Sequence, residues 1–374
     1  MSKQPTALYI HIPFCSHICH YCDFSKVLIE GQPVDDYINT VIDELKIQKI
    51  EKVKTVYIGG GTPTALSIKQ LEKLLNFLDN QLDTETIEEF TIEANPSDLS
   101  DEMIALLKES SVNRISLGVQ TFNNELLNKI GRTHTEEEVY KVIKKLKEAE
   151  FDNITIDLIY GLPLQTMEMV KEDIDKLLAL DLPHVALYSL ILEDHTLFMN
   201  QQRRGLLKLP SDDKNADMYE YILDRLNQAN YDHYEISNFS KKGYESKHNL
   251  AYWDNAEYYG IGAGASGYVD GVRYKNHGPI HHYLQENNKR VYEERLDQKQ
   301  QIEEEMFLGL RKKKGVSFPN FQKKFGVNIT EIYGEVIEEL VQQGLIENIN
   351  NSIHLTEKGF MLGNEVFQAF LLDD

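Results

Sequence analysis

Apolar positions in the first half of the chain follow two alternating rhythms: short β-branched runs, then longer stretches with the period of a one-sided helix. Ala7 to Ile12 is the first run and leads directly into the cysteines. The helix that follows from about Asp36 sets Ile38, Val41, Ile42 and Leu45 on one face. Thr55 to Ile58 then predicts a second strand entering Gly59-Gly60-Gly61. Ser67 and Gln70 have capping-box spacing for a helix carrying Leu71, Leu74, Leu75 and Leu78. Glu89 to Glu93, Arg114 to Gly118, Ile154 to Tyr160 and Val185 to Leu190 predict further strands, and Thr135 with Glu138 caps the helix before Ile154. Strand-helix repetition builds a parallel sheet covered by helices. Six units are fewer than a complete barrel needs, so the predicted fold class for residues 1–210 is α/β, a partial (β/α)6 barrel; an open doubly wound sheet is the alternative.

The rhythm changes after Pro210. Ser211 to Asn230 is helical, whereas Tyr231 to His282 is rich in Tyr, His and Gly without a clear period, which predicts loops covering the barrel mouth within a segment 211–298. From Lys299 onward the chain is helical (Met306, Phe307, Leu310), then again over Phe318 to Phe325 and Ile329 to Gln342. A hairpin through Asn350-Asn351 and a last helix follow. Residues 299–374 therefore predict a small C-terminal α+β, winged-helix-like domain.

A formal charge of -21 and a pI near 5.0 argue against nucleic acid as a partner, because phosphate neutralisation needs a basic face. No apolar run is long enough for a membrane span, and Met1 to Tyr9 lacks the charged-then-apolar pattern of a signal peptide, so a cytoplasmic protein is expected. The three cysteines all lie within eight residues, too close for a disulfide framework and suited to metal chemistry in a reducing compartment.

Cys15-x3-Cys19-x2-Cys22 offers three thiolates from one loop, whereas structural zinc and ordinary cubane clusters take four protein ligands. One metal position is left open; a zinc site completed by His11, His17 or His20 is the competing interpretation of the spacing. The run from Tyr9 through Pro13-Phe14-Cys15, Cys19 and Tyr21-Cys22-Asp23-Phe24 resembles the opening of the radical S-adenosylmethionine superfamily. That resemblance implies a [4Fe-4S] cluster on Cys15, Cys19 and Cys22, whose fourth iron chelates S-adenosylmethionine and whose electron cleaves it to a 5'-deoxyadenosyl radical. Gly60, Gly61 and Thr62 resemble the family's methionine-binding loop. Glu93, Gln120, Arg132 and Asp157 fall at or just after predicted strand ends, where side chains converge on a barrel mouth. By resemblance Glu93 takes ribose hydroxyls and the others contact the nucleoside or methionine; Tyr9, Tyr21 and Ala265 match further contact positions.

Within the superfamily the chain resembles the oxygen-independent coproporphyrinogen III oxidase group from Tyr9 to about the last helix. It departs in two places: Phe24 stands where the oxidase has a further cysteine, and only eight residues precede Tyr9 where the oxidase has a long extension. Both departures, and His248-Asn249-Leu250-Ala251-Tyr252-Trp253, are similar to the oxidase-like heme chaperone family. That likeness implies heme as a bound cargo, with His248 or Tyr252 as candidate iron ligand. It also implies a heme-acceptor protein such as a respiratory-chain component, an electron donor such as flavodoxin, a homodimer, and peripheral contact with the membrane during delivery. Two alternatives stay open. One is oxidative decarboxylation of coproporphyrinogen III. The other is a regulator using the C-terminal domain, for which Lys312 to Lys314 and Lys323-Lys324 are the only basic clusters there.

Overall fold

The computed structural model describes residues 5–285 and 287–372. Strands β1 (Ala7–Ile12), β2 (Thr55–Gly60), β3 (Glu89–Ala94), β4 (Arg114–Gln120), β5 (Ile154–Tyr160) and β6 (His184–Ser189) pair in parallel and in chain order. Amphipathic helices separate them. Both predicted capping boxes are formed: Ser67 and Gln70, and Thr135 and Glu138, each exchange side-chain and backbone hydrogen bonds. Leu71, Leu74, Leu75 and Leu78 are buried against the sheet, as are Ile38, Val41, Ile42 and Leu45.

The segment expected to cover the mouth with loops does something else. It supplies β7 (Asp232–Glu235), β8 (Asn238–Ser240), β9 (Tyr258–Ile261), β10 (Ser266–Val269), β11 (Val272–Asn276) and β12 (Arg290–Arg295). These extend the sheet at both edges, giving one 12-stranded order β12-β11-β10-β9-β1-β2-β3-β4-β5-β6-β8-β7. β9 is a seventh parallel strand, beside β1, one more than the six the sequence pattern predicts. The added strands escaped detection because each is too brief to establish a two-residue period, and some follow one another through tight turns such as Asp270-Gly271, both at positive φ.

A second core forms in the C-terminal part from Ile302, Met306, Phe321, Tyr333, Ile337 and Phe370 with their neighbours. Helices Gln298–Gly309, Phe318–Phe325 and Ile329–Gln342 pack with a small sheet of β13 (Val316–Ser317), β14 (Ile346–Ile349) and β15 (Ser352–Leu355). The β14–β15 hairpin turns through Asn350 and Asn351, both at positive φ, where asparagine is tolerated better than other non-glycine residues. Arg311 joins the two parts, its guanidinium lying over Trp253 on one side and Phe367 on the other. Among the described residues no helix is long and apolar enough to cross a membrane.

Candidate functional site

The cysteine loop leaves the C-terminal end of β1, the end of a parallel barrel where ligands gather. Phe14–Cys15 pairs in parallel with Val27–Leu28, so the loop closes on itself and turns its thiols inward. The glycine loop after β2 is tied to it by two backbone bonds, Gly61 N–H to Ile12 O at 2.8 Å and Thr62 N–H to Phe14 O at 2.7 Å. Gly60 has φ +114, and an added Cβ would stand 2.3 Å from the His11 ring, so no other residue fits this approach.

All three cysteines line one cavity of about 450 Å³ with Gly60, Gly61 and Thr62. Thr62 Oγ1 donates to Cys15 Sγ at 3.7 Å, and burial still pushes the Cys15 thiol up to about 11. Burial also raises Cys22, against the pull of the Lys26 ammonium. Arg132 Nη1 donates to Cys19 Sγ at 3.4 Å, and its second terminal nitrogen to Gly118 O, while its Nε is buried without a protein partner. Two of the histidines that could complete a zinc site are engaged elsewhere. His11 pairs through Nδ1 with Tyr9 OH at 2.9 Å and through Nε2 with Ser25 O at 2.8 Å, and His20 Nδ1 bonds Lys129 O at 3.0 Å.

Below the thiols the cavity wall is polar. Glu93 accepts from Tyr57 OH at 2.7 Å and from Gly60 N–H at 2.9 Å, yet burial raises its pKa. Asp157 is pushed up to about 7, first by burial and then by the Glu93 charge, with Ser116 Oγ donating to it at 3.1 Å. Gln120 ends β4 at φ +71, where the pairing with β5 shifts register; this sparsely populated conformation costs about 1 kcal/mol or more and aims the amide into the cavity. Phe24 (65% exposed) and Ile191 (67%) form an apolar rim.

Of the residues singled out from sequence, Cys15, Cys19, Cys22, Tyr21, Gly60, Gly61, Thr62, Glu93, Gln120, Arg132 and Asp157 meet at this cavity. Tyr9 and Ala265 are not among its lining residues: Tyr9 is bound to His11, and Ala265 is 2% exposed with its carbonyl accepting from Asn276 N–H. The cavity also takes in Tyr57, Arg114, Ser116, His184 and Tyr188, which the sequence reading missed. Alternation held the signal: Arg114, Ser116, Gly118 and Gln120 are every second residue of one strand, all facing the lumen.

His248 and Tyr252 do not line this cavity, although Asn249 between them does. Helix Lys247–Trp253 crosses the N-terminal ends of the barrel strands, where the Glu89 carboxylate accepts from the backbone N–H groups of Lys247 (2.9 Å) and His248 (3.0 Å). His248 is 1% exposed; its Nδ1 is 2.9 Å from Thr55 Oγ1 and its Nε2 is 2.9 Å from Tyr252 OH. Burial, then the Arg114 charge, pushes this imidazole down to about 3. The ring is neutral, with a hydroxyl at each nitrogen. The helix therefore does not cover the mouth as the sequence pattern predicts; a buried carboxylate, Glu89, holds it at the opposite end of the strands.

The parallel barrel and its three-thiol loop define a radical S-adenosylmethionine protein. The family model for the Radical SAM superfamily matches residues 9–177, and that for the HemN C-terminal domain matches 296–362. The heme chaperone HemW of Lactococcus lactis is 65% identical over 100% of this chain and 99% of the relative. That of Bacillus subtilis is 47% identical over 97% and 98%. The chain belongs to the HemW family. In fold it is similar to the coproporphyrinogen III oxidase HemN of Escherichia coli, with TM-score 0.86 and 22% identity over 99% of this chain and 90% of that one.

Proposed function

We propose that the chain is a heme carrier that holds a [4Fe-4S] cluster on Cys15, Cys19 and Cys22, binds S-adenosylmethionine beside it, and passes heme to an acceptor protein. The observation that carries the cofactor part is the meeting of the chain's only three cysteines with polar strand ends in one cavity. Three soft thiols suit three irons of a cubane and leave one for a ligand. The buried Arg132 Nε, unpartnered in the protein, suits a carboxylate such as that of the methionine part. Glu93 suits a pair of ribose hydroxyls, and Gln120 with Asp157 the remaining polar edges of the nucleoside. When reduced, such a cluster supplies the electron that cleaves the sulfonium. The chain's own residues bind and orient, and Phe24 and Ile191 shield the cavity from water.

The relatives support heme as the cargo: a full-length match at 65% identity is to a heme chaperone. The acceptor proposed is a heme-requiring protein such as a respiratory-chain component, met at the membrane surface by an otherwise cytoplasmic carrier, with a flavodoxin-like electron donor and a homodimer as resting form. Oxidative decarboxylation ranks second, because Phe24 occupies the place of the oxidase's additional cysteine. The test is anaerobic reconstitution followed by heme titration. About four irons and four sulfides per chain, saturable heme binding by the Soret band and no decarboxylation of coproporphyrinogen support the proposal. Zinc in place of iron, or turnover of the porphyrinogen, refutes it.

A further inference from the structure

A cluster on Cys15, Cys19 and Cys22 has to receive its electron from outside the chain, and the surface beside that loop is unlike the rest of the molecule. Asp and Glu number 60 against 39 Lys and Arg, yet no carboxylate falls between Asp194 and Asp212. That stretch carries Arg203, Arg204 and Lys208 instead. Arg203 is paired with Asp194 at 2.6 Å. Arg204 and Lys208 are exposed, and among the described residues their side chains have no ion pair; the same holds for Lys129. Leu197 and Leu206 in this stretch are exposed as well, and so is Leu164, whose N–H donates to Lys208 O at 3.1 Å.

The stretch is fastened to the cysteine loop. In the helix Leu197–Arg203, Phe198 N–H donates to His20 O at 3.0 Å, and the two rings meet edge to face with centroids 5.8 Å apart. His20 stands between Cys19 and Cys22. Its backbone N–H donates to Ile130 O at 3.0 Å, its Nδ1 is 3.0 Å from Lys129 O, and a Cβ added at Gly131 would come within 2.8 Å of its ring. Beneath the surface Leu126, Ile130, Phe198 and Leu207 share one buried cluster, against which Tyr21 packs. The cysteine loop, the helix Asn124–Lys129 and the stretch after Thr196 are therefore held as one body. From Cys19 through the His20 peptide to Phe198 the path crosses a single hydrogen bond.

Exposed leucines set among unpaired cations suit a small acidic protein: the leucines lose water on contact and the cations steer the approach. Electron-transfer complexes are small and weak, below about 1,200 Å², so a few side chains suffice. We propose that Leu197, Arg204, Leu206 and Lys208, with Lys129, form the docking surface for an acidic one-electron donor protein, whose electron reaches the cluster by way of His20. One electron leaves the donor and one enters the cluster, with no bond or proton exchanged. An anionic lipid surface would also match leucines and cations. It carries no electron, however, and gives no reason for this surface to be tied to the residue between two cluster cysteines.

The inference rests on the cluster proposed above, and the test keeps the two apart. Reconstituted full-length protein, the variant Arg204→Glu/Lys208→Glu and the control Lys313→Glu/Lys314→Glu are each mixed with photoreduced flavodoxin, an acidic donor, and separately with dithionite. Iron and sulfide content checks the cluster, and calorimetry with oxidised flavodoxin gives the affinity. At low salt Arg204→Glu/Lys208→Glu is expected to bind flavodoxin about tenfold more weakly and to be reduced by it about tenfold more slowly, with a parental dithionite rate. The difference narrows as salt rises. The control is expected to match the parent. Parental affinity and rate in Arg204→Glu/Lys208→Glu overturn the surface, as does an equal loss in the control. A surface that sediments with phosphatidylglycerol vesicles only in the parent, while flavodoxin rates stay equal, belongs to lipid and overturns the inference too. Reduction of the parent by dithionite alone overturns the donor and leaves the carrier reading standing, whereas a parent that takes up no cluster overturns both.

Discussion

The two ends of the barrel are built from the same kinds of side chain and do opposite things with them. At the N-terminal end Glu89, Thr55, His248, Tyr252 and Ser246 spend their hydrogen bonds on one another and on the backbone of helix Lys247–Trp253. At the C-terminal end the thiols, the Arg132 Nε and the raised carboxyls of Glu93 and Asp157 surround open space. Buried polar groups that satisfy each other rigidify a fold, and those facing a cavity await a ligand. A polar motif is thus assigned to structure or to binding by where its hydrogen bonds go, whatever its residue types suggest.

Four substitutions sharpen that contrast. Replacing any one of Cys15, Cys19 or Cys22 with Ala is expected to abolish the cluster, read as iron and sulfide falling to background after reconstitution, with little change in unfolding of the metal-free chain. Glu89→Gln at the closed end should do the reverse. It weakens the anchor of two backbone N–H groups and leaves Arg114 without its ion-pair partner at 3.8 Å, lowering stability by about 3 kcal/mol in urea titration while cluster content holds.

Glu93→Ala is expected to raise the Kd for S-adenosylmethionine about tenfold or more by calorimetry, with the cluster intact. Equal affinity of both proteins would falsify the ribose role. The remaining effect concerns pH and Asp157. Its pKa is raised in the fold, so its contribution to the stability of the metal-free chain is full below the usual carboxyl pKa and is lost as pH climbs through about 7. Asp157→Asn should remove that decline, seen as a flatter midpoint-against-pH curve between pH values of about 4 and 8.

Where a segment's pattern was long, the sequence was enough. The first six strands, their capped helices and the cysteine loop follow from periodicity and capping chemistry, and the strand-end positions Glu93, Gln120, Arg132 and Asp157 do meet in one cavity. Two kinds of information were out of reach. β7 to β12 are too short for a two-residue period to emerge from noise, so a sheet was read as loops. The direction of the His248 helix depends on Glu89, which is 159 residues away in the chain, and no local signal reports such a partner. Arg114 and Ser116 were legible in principle, since polar residues at alternate positions of a buried strand have to face a lumen.

The pairing of β1 with β9 has a consequence for how the molecule is made. Ala7 to Ile10 leave the ribosome about 250 residues ahead of their partners, Tyr258 to Ile261. At ordinary rates of synthesis that interval is on the order of tens of seconds. Throughout it the strand that carries the cysteine loop keeps one unpaired edge, the longest-range and slowest contact of the barrel to close. The segment that finally seals this edge therefore completes the sheet beside the cysteine loop only late in synthesis.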